Sequence, residues 1–152
     1  MSKVSRLWGN CTTLLSMKRI LLLVILFSLD RLVKEVMERV LIYHKPYHIN
    51  SFISIRLTHN YGAALGFELP RWILIALSII AIIAIILYII KERVFSVSIS
   101  FLLAGILGNL CDRILYGYVI DFISIGNFPI FNLADSYISI GFLMIVLSIL
   151  KK

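Results

Sequence analysis

WILIALSIIAIIAIILYII, residues 72–90, contains nineteen consecutive residues without a charge. At ~1.5 Å rise per residue a helix of that length reaches about 28 Å, close to the hydrocarbon thickness of a bilayer. Three further apolar runs share its character. One reads from Ile20 to Leu29 and continues past Asp30 and Arg31 through Leu32 and Val33; the others cover Val94 to Cys111 and Leu133 to Leu150. The whole chain is 61% hydrophobic with a mean hydropathy of +0.99, and only 15% of it is charged. Soluble domains carry about 25% charged residues, so lipid is the expected solvent for much of this chain. The expected fold is an all-α polytopic membrane protein with four transmembrane helices.

The basic residues set an expected orientation. Lys3, Arg6, Lys18 and Arg19 precede the first run, Lys91 and Arg93 lie between the second and third, and Lys151 and Lys152 follow the fourth. Four spans put these three groups on one side. By the positive-inside rule that side is the cytoplasm, with both termini there. The opposite side receives the outer segments 36–71 and 112–132. It also carries bases, so the bias is modest. A net charge of +7 without a basic cluster interleaved with aromatics argues against nucleic-acid binding. Cys11 and Cys111 have neither the number nor the spacing of a disulfide framework or a zinc site. Residues 1–17 read as a short polar leader, expected to be disordered, and 18–152 as one membrane domain. The first run is not expected to be a cleaved signal peptide. Asp-Arg-Leu-Val-Lys follows its apolar stretch, not a small-residue cleavage site.

Two outer stretches alternate or extend like strands. Phe52–Thr58 alternates apolar with polar side chains, and Tyr118–Asp121 follows Gly117. A strand cannot cross lipid with unsatisfied edges, so a small extracytoplasmic sheet at the interface is expected. The tyrosines at 43, 47, 61, 116 and 118 suit that depth.

Against this oily background, a few polar side chains stand out, because charge in or near a bilayer is costly unless paired or functional. Asn132 is placed to cap the fourth helix after Pro129, with Asp135 in its first turn. Asp121 must return to the same depth. Two carboxylates brought together in a low-dielectric site share one proton, which supplies an acid and a base without a nucleophilic side chain or metal. Spacing alone also admits a plainer reading, with Asp135 only a cap and Asp121 only a loop acid. Asp30 and Lys34 lie four apart, acid first, on one helical face, and can pair or hold a polar partner. Arg31 is expected to point elsewhere and snorkel outward. Asn109 and Asp112 share a face near the end of the third run, and Arg113 offers a guanidinium fork to a carboxylate or a lipid phosphate. Gly105 and Gly108 permit close helix approach. Asn60, before Tyr61-Gly62-Ala63-Ala64, either forms an ordinary turn or grips an extended peptide backbone. The histidines 44, 48 and 59 are too scattered for a metal site.

Asp30-Arg-Leu-Val-Lys34, Asn60-Tyr-Gly-Ala-Ala64, Gly108-Asn-Leu-Cys-Asp-Arg113, Val119-Ile-Asp-Phe122 and Phe128-Pro-Ile-Phe-Asn-Leu-Ala-Asp135 together closely resemble the bacterial lipoprotein signal peptidases, the signal peptidase II family. They occur in the family's order over roughly residues 19 to 150. The resemblance implies an aspartyl endopeptidase of the bacterial inner membrane. It would remove signal peptides from diacylglyceryl-modified prolipoproteins, cutting just before the lipidated lipobox cysteine. It implies Asp121 and Asp135 as the catalytic pair. Asp30, Lys34, Asn60, Asn109, Asp112, Arg113 and Asn132 are implied to order the site or contact substrate. It also implies a periplasmic sheet with an interfacial helix. The acid pair needs no cofactor or metal, and the chain is expected to be a monomer surrounded by membrane lipids.

Two other classes compete. A small proton-coupled transporter also uses intramembrane acids, but its polar groups would line a midplane route between repeats, and none is visible here. A non-catalytic assembly factor would keep its activity after loss of either aspartate.

Overall fold

In the computed structural model, residues 3–62 and 69–151 are described, with side chains from Ser16 onward. The elements in order are α1 (Lys3–Val40), β1 (Tyr47–His48), β2 (Ile53–Asn60), α2 (Arg71–Glu92), α3 (Val97–Leu115), β3 (Val119–Ile125) and α4 (Leu133–Leu150). α1 is longer than the first apolar run at both ends. Its backbone is helical from Lys3, so the expected disorder of the leader is not seen there. No further helix occurs among the described residues, so the interfacial helix is not found in them. Ala63 and Ala64 lie outside them.

α2, α3 and α4 are each long and apolar enough to cross a membrane. In α1, Asp30, Arg31 and Lys34 interrupt the apolar run. The helix nevertheless runs alongside α3 in the same direction. At one end the Arg19 guanidinium donates to the Phe95 carbonyl at 2.6 Å, and the Ser100 hydroxyl donates to the Arg19 carbonyl at 2.9 Å. At the other end Lys34 reaches Asn109 and Asp112. α4 runs antiparallel to α3. A Cβ on Gly105 would collide with the Ala134 carbonyl and come within 2.7 Å of Ile138, and one on Gly141 would meet the Ser98 carbonyl at 2.7 Å. These glycines let the two backbones touch, the packing that lipid favours where no hydrophobic drive acts between helices.

The helix ends follow local chemistry. Ser96 caps α3 by accepting from the Ile99 N–H at 3.3 Å. Gly117, at φ 88°, turns the chain from α3 into β3. The three strands form one antiparallel sheet in the order β1-β2-β3 at the end of the bundle where α1 and α3 finish. One sheet face carries Leu57, Ile120 and Phe122, which pack on Val33, Met37 and Leu41 of and just beyond α1. The alternation of strand side chains then puts Thr58, Asn60, Val119 and Asp121 on the other face. A register shift between Ile55 and Thr58 separates the two halves of the β2–β3 ladder.

Candidate active site

Asp121 is buried in β3, 2% exposed, opposite Thr58 of β2. Asp135 sits half-buried in the first turn of α4. The chain between them returns along β3, where Phe131 bridges back to Ile123, and Asn132 begins α4 with a reciprocal cap. The Asp135 N–H donates to Asn132 Oδ1 at 3.0 Å, and the Asn132 N–H donates to Asp135 Oδ2 at 3.2 Å. The same Asn132 side chain donates from Nδ2 to Asp121 Oδ1 at 2.6 Å. One asparagine therefore holds both carboxylates.

Two more asparagines complete the grip. Asn60 Nδ2 donates to Asp121 Oδ2 at 2.9 Å, while its Oδ1 accepts from the Gly62 N–H at 3.0 Å. Asn109 Nδ2 donates to Asp135 Oδ1 at 2.7 Å. Asn109 Oδ1 accepts from Lys34 Nζ at 3.0 Å and from Asn132 Nδ2 at 3.3 Å. Of the two readings of Asn60, the turn is realised, and its amide also faces an acid. An asparagine offers a donor and an acceptor on one planar group, so each can bind a carboxylate and anchor itself to a neighbour.

Beneath this layer lies a fully buried ionic cluster. Lys34 Nζ lies 3.0 Å from Asp30 Oδ2 and 2.8 Å from Asp112 Oδ2, with all three side chains inaccessible to solvent. Asp30 Oδ1 accepts from the Ala134 N–H of α4 at 2.9 Å, and Asp112 Oδ2 accepts from the Ile120 N–H of β3 at 3.3 Å. The cluster therefore ties α1 and α3 to the elements that carry both acids. Arg31 does not snorkel outward as expected: its guanidinium pairs with Asp112, and a second nitrogen donates to the Tyr116 hydroxyl at 3.3 Å. Asp30 and Asp112 set two negative charges against the one positive charge of Lys34, and Arg31 turns inward to balance them. Arg113, expected to offer a fork to a carboxylate or a lipid phosphate, makes no hydrogen bond or ion pair to a described residue. It lines instead a cavity of about 1450 Å³ shared with Asn60, Asn109, Asp121 and Asp135.

Burial pushes the Asp121 carboxyl up to about 7, with the negative charge at Asp135 adding to the effect. The hydrogen bonds from Asn60 and Asn132 and the charge on Lys34 oppose it. Two acids share the cavity, and one of them keeps its proton to neutrality. Phe128, Ile130 and Ile138 supply an apolar wall. Among the described residues no group of three or more His, Cys, Asp or Glu is placed to hold a metal.

The chain is similar to known proteins over most of its length. The family model described as signal peptidase (SPase) II matches residues 22–151. The chain belongs to the signal peptidase II family. A lipoprotein signal peptidase of Burkholderia ambifaria is 40% identical over 143 residues, covering 86% of this chain and 85% of the relative. That of Paraburkholderia phytofirmans is 36% identical over 144 residues, covering 86% and 82%. Two solved bacterial membrane enzymes, determined by the in meso method at 2.3 and 1.9 Å, superpose with TM-scores of 0.81 and 0.80. Each is 34% identical and the overlaps cover 88% and 89% of this chain, and 88% and 94% of theirs. The chain is a signal peptidase II-type enzyme, a multi-pass protein of the inner membrane with a four-helix, three-stranded fold. Sequence reasoning missed Arg31 as a partner of Asp112. The available signal was its position next to Asp30 and about one turn before Lys34.

Proposed function

We propose that this chain is an aspartyl endopeptidase that removes the signal peptide from diacylglyceryl-modified prolipoproteins, cutting immediately before the lipidated cysteine. Asp121 and Asp135 are the catalytic pair. Asn60, Asn109 and Asn132 orient them, and Asp30, Lys34 and Asp112 hold those residues in place. Arg113 faces the substrate. The observation that carries this reading is Asn132, whose side chain donates to the Asp121 carboxylate and whose backbone N–H donates to that of Asp135, with both acids lining one cavity.

α1 is the fourth span, its charges neutralised within the bundle. The cytoplasm holds both termini, and the sheet and the acids face outward, where water reaches the site. The working unit is a monomer in which residues 18–152 form the peptidase domain.

The geometry supports a general acid–base cleavage. The ionised carboxylate takes a proton from water as the water oxygen bonds to the scissile carbonyl carbon. The protonated carboxyl donates to the carbonyl oxygen as negative charge gathers there. The tetrahedral intermediate then collapses: the carbon–nitrogen bond breaks, the leaving nitrogen takes the proton that came from water, and one hydroxyl of the intermediate returns its proton to the other carboxylate as the carbonyl re-forms. The site ends with one proton, as it began. Asn60, Asn109 and Asn132 fix the carboxylates, so little reorganisation accompanies the change in charge.

Purified protein in lipid should cleave a diacylglyceryl-modified precursor and leave the same precursor without its lipid largely intact. Equal cleavage of both would remove the lipid from the specificity. The pH dependence has a definite sign. The active pair holds one proton. Its upper titration corresponds to the carboxyl raised to about 7 at Asp121, so kcat should fall as pH rises through that region and the pair becomes doubly ionised. It should fall again in acid, where the pair takes up a second proton and the base is lost. A rate that climbs steadily to pH 9 would contradict a shared proton.

A further inference from the structure

His59 stands between the two residues of β2 that hold Asp121. Thr58 lies opposite Asp121 and its hydroxyl donates to the Asp121 carbonyl at 3.3 Å; Asn60 donates to the carboxylate at 2.9 Å. Strand alternation directs the His59 side chain to the other face of the sheet, toward α1. There His59 Nε2 lies 2.8 and 3.2 Å from the two carboxylate oxygens of Glu38, near the end of α1. The imidazole stacks on Tyr118 of β3 at 3.9 Å between ring centres, and Tyr43, after α1, meets it at 4.6 Å. Tyr61 and Tyr116 pack in turn on Tyr118.

We infer that His59, clamped by Glu38 and the tyrosine stack, is a positioning residue that sets where Asn60 meets Asp121. The register shift between Ile55 and Thr58 makes the clamp necessary. Beyond that shift, residues 58–60 do not inherit their alignment from the outer part of the ladder. Bulges of this kind re-aim side chains beside active sites, and something must then hold the new register. The Glu38–His59 contact does so by fastening the strand to α1. That helix also carries Asp30 and Lys34, so the strand and the ionic cluster share one reference frame. This inference rests on the catalytic pair proposed above.

The test compares wild type with His59→Ala, Glu38→Ala and the double variant, using the full chain in lipid and a diacylglyceryl-modified precursor. A displacement of about 1 Å in a positioning group can cost up to about 10²-fold, so each single variant should lose about tenfold or more in kcat with little change in KM. The double variant should be no worse than the poorer single one, because both remove one contact. Glu38→Gln keeps an acceptor for the ring N–H and should retain most of the rate.

The pH profile separates positioning from general weakening. Asp121 is faced by Asp135 from α4, Lys34 from α1, Arg113 from α3, and Asn60 and Asn132. Loss of the Asn60 donor removes one influence that holds its carboxyl down, so the alkaline limb should move to higher pH in each Ala variant. Glu38 is partly exposed, so its truncation leaves the fold's interior intact even where His59→Ala does not fold. Full activity, additive losses, or lost rate with an unmoved alkaline limb would each overturn the inference. Asp121→Asn run alongside keeps the two ideas apart: an active variant defeats the catalytic pair, whereas an inactive one beside wild-type-like His59 and Glu38 variants defeats only the clamp.

Discussion

Asp121→Asn and Asp135→Asn are each expected to reduce cleavage by about 10³-fold or more while the protein stays folded. Neither carboxamide can take a proton from water or return one to the leaving nitrogen. Both substitutions nearly preserve shape. At Asp135 an asparagine oxygen can still accept from the Asn132 N–H, so the cap of α4 survives. At Asp121 one end of the new amide must face a donor, either Asn60 or Asn132, and one neighbour has to turn. The substitution also removes a buried acid whose ionisation burial opposes, which offsets that local cost. Retained helicity and melting behaviour with lost cleavage is therefore the expected pattern. Normal turnover by either variant would exclude the pair as the proton-transfer groups and return the assembly-factor reading to consideration.

Lys34→Met should be more damaging to the fold than to any single chemical step. Lys34 is wholly buried between Asp30 and Asp112, and its Nζ also supports Asn109. Removing one partner of a buried ion pair leaves an uncompensated charge and typically costs about 3–5 kcal/mol. Asp112 would keep Arg31 as a partner, whereas no other described residue forms an ion pair with Asp30. A second change, Asp30→Asn, should therefore restore much of the stability. The asparagine can still accept from the Ala134 N–H that caps α4. Thermal unfolding in detergent should show a large drop for Lys34→Met and partial recovery for the double variant. A Lys34→Met protein as stable as wild type would mean that the cluster is not a structural support.

Much of this organisation could be read before any coordinates. Nineteen uncharged residues cannot easily be anything but a buried or lipid-facing helix, and Pro129 followed by Asn132 and Asp135 carries its own start signal for α4. Asp30 and Lys34 were paired correctly by the helical repeat, since both partners lie on one element. The repeat carries no information about a partner on another helix, which is why Arg31 was expected to face outward and instead meets Asp112. Arg113 illustrates the same limit from the other side. A guanidinium near carboxylates suggests a fork, but the asparagines already occupy the oxygens of both Asp121 and Asp135. The contact between Glu38 and His59 was equally hidden, because it depends on which face of β2 packs on α1.

The bond from Asp30 to the Ala134 amide joins positions separated by 104 residues. Ribosomal synthesis delivers the earlier member long before the later one, and Asn132 arrives with the last helix. A nascent chain paused after β3 thus possesses one acid and none of the cap that steadies its mate. With the proposed pair as the source of the chemistry, hydrolytic competence would arise only upon insertion of the final segment, and a half-built enzyme would be harmless to the membrane proteins emerging beside it.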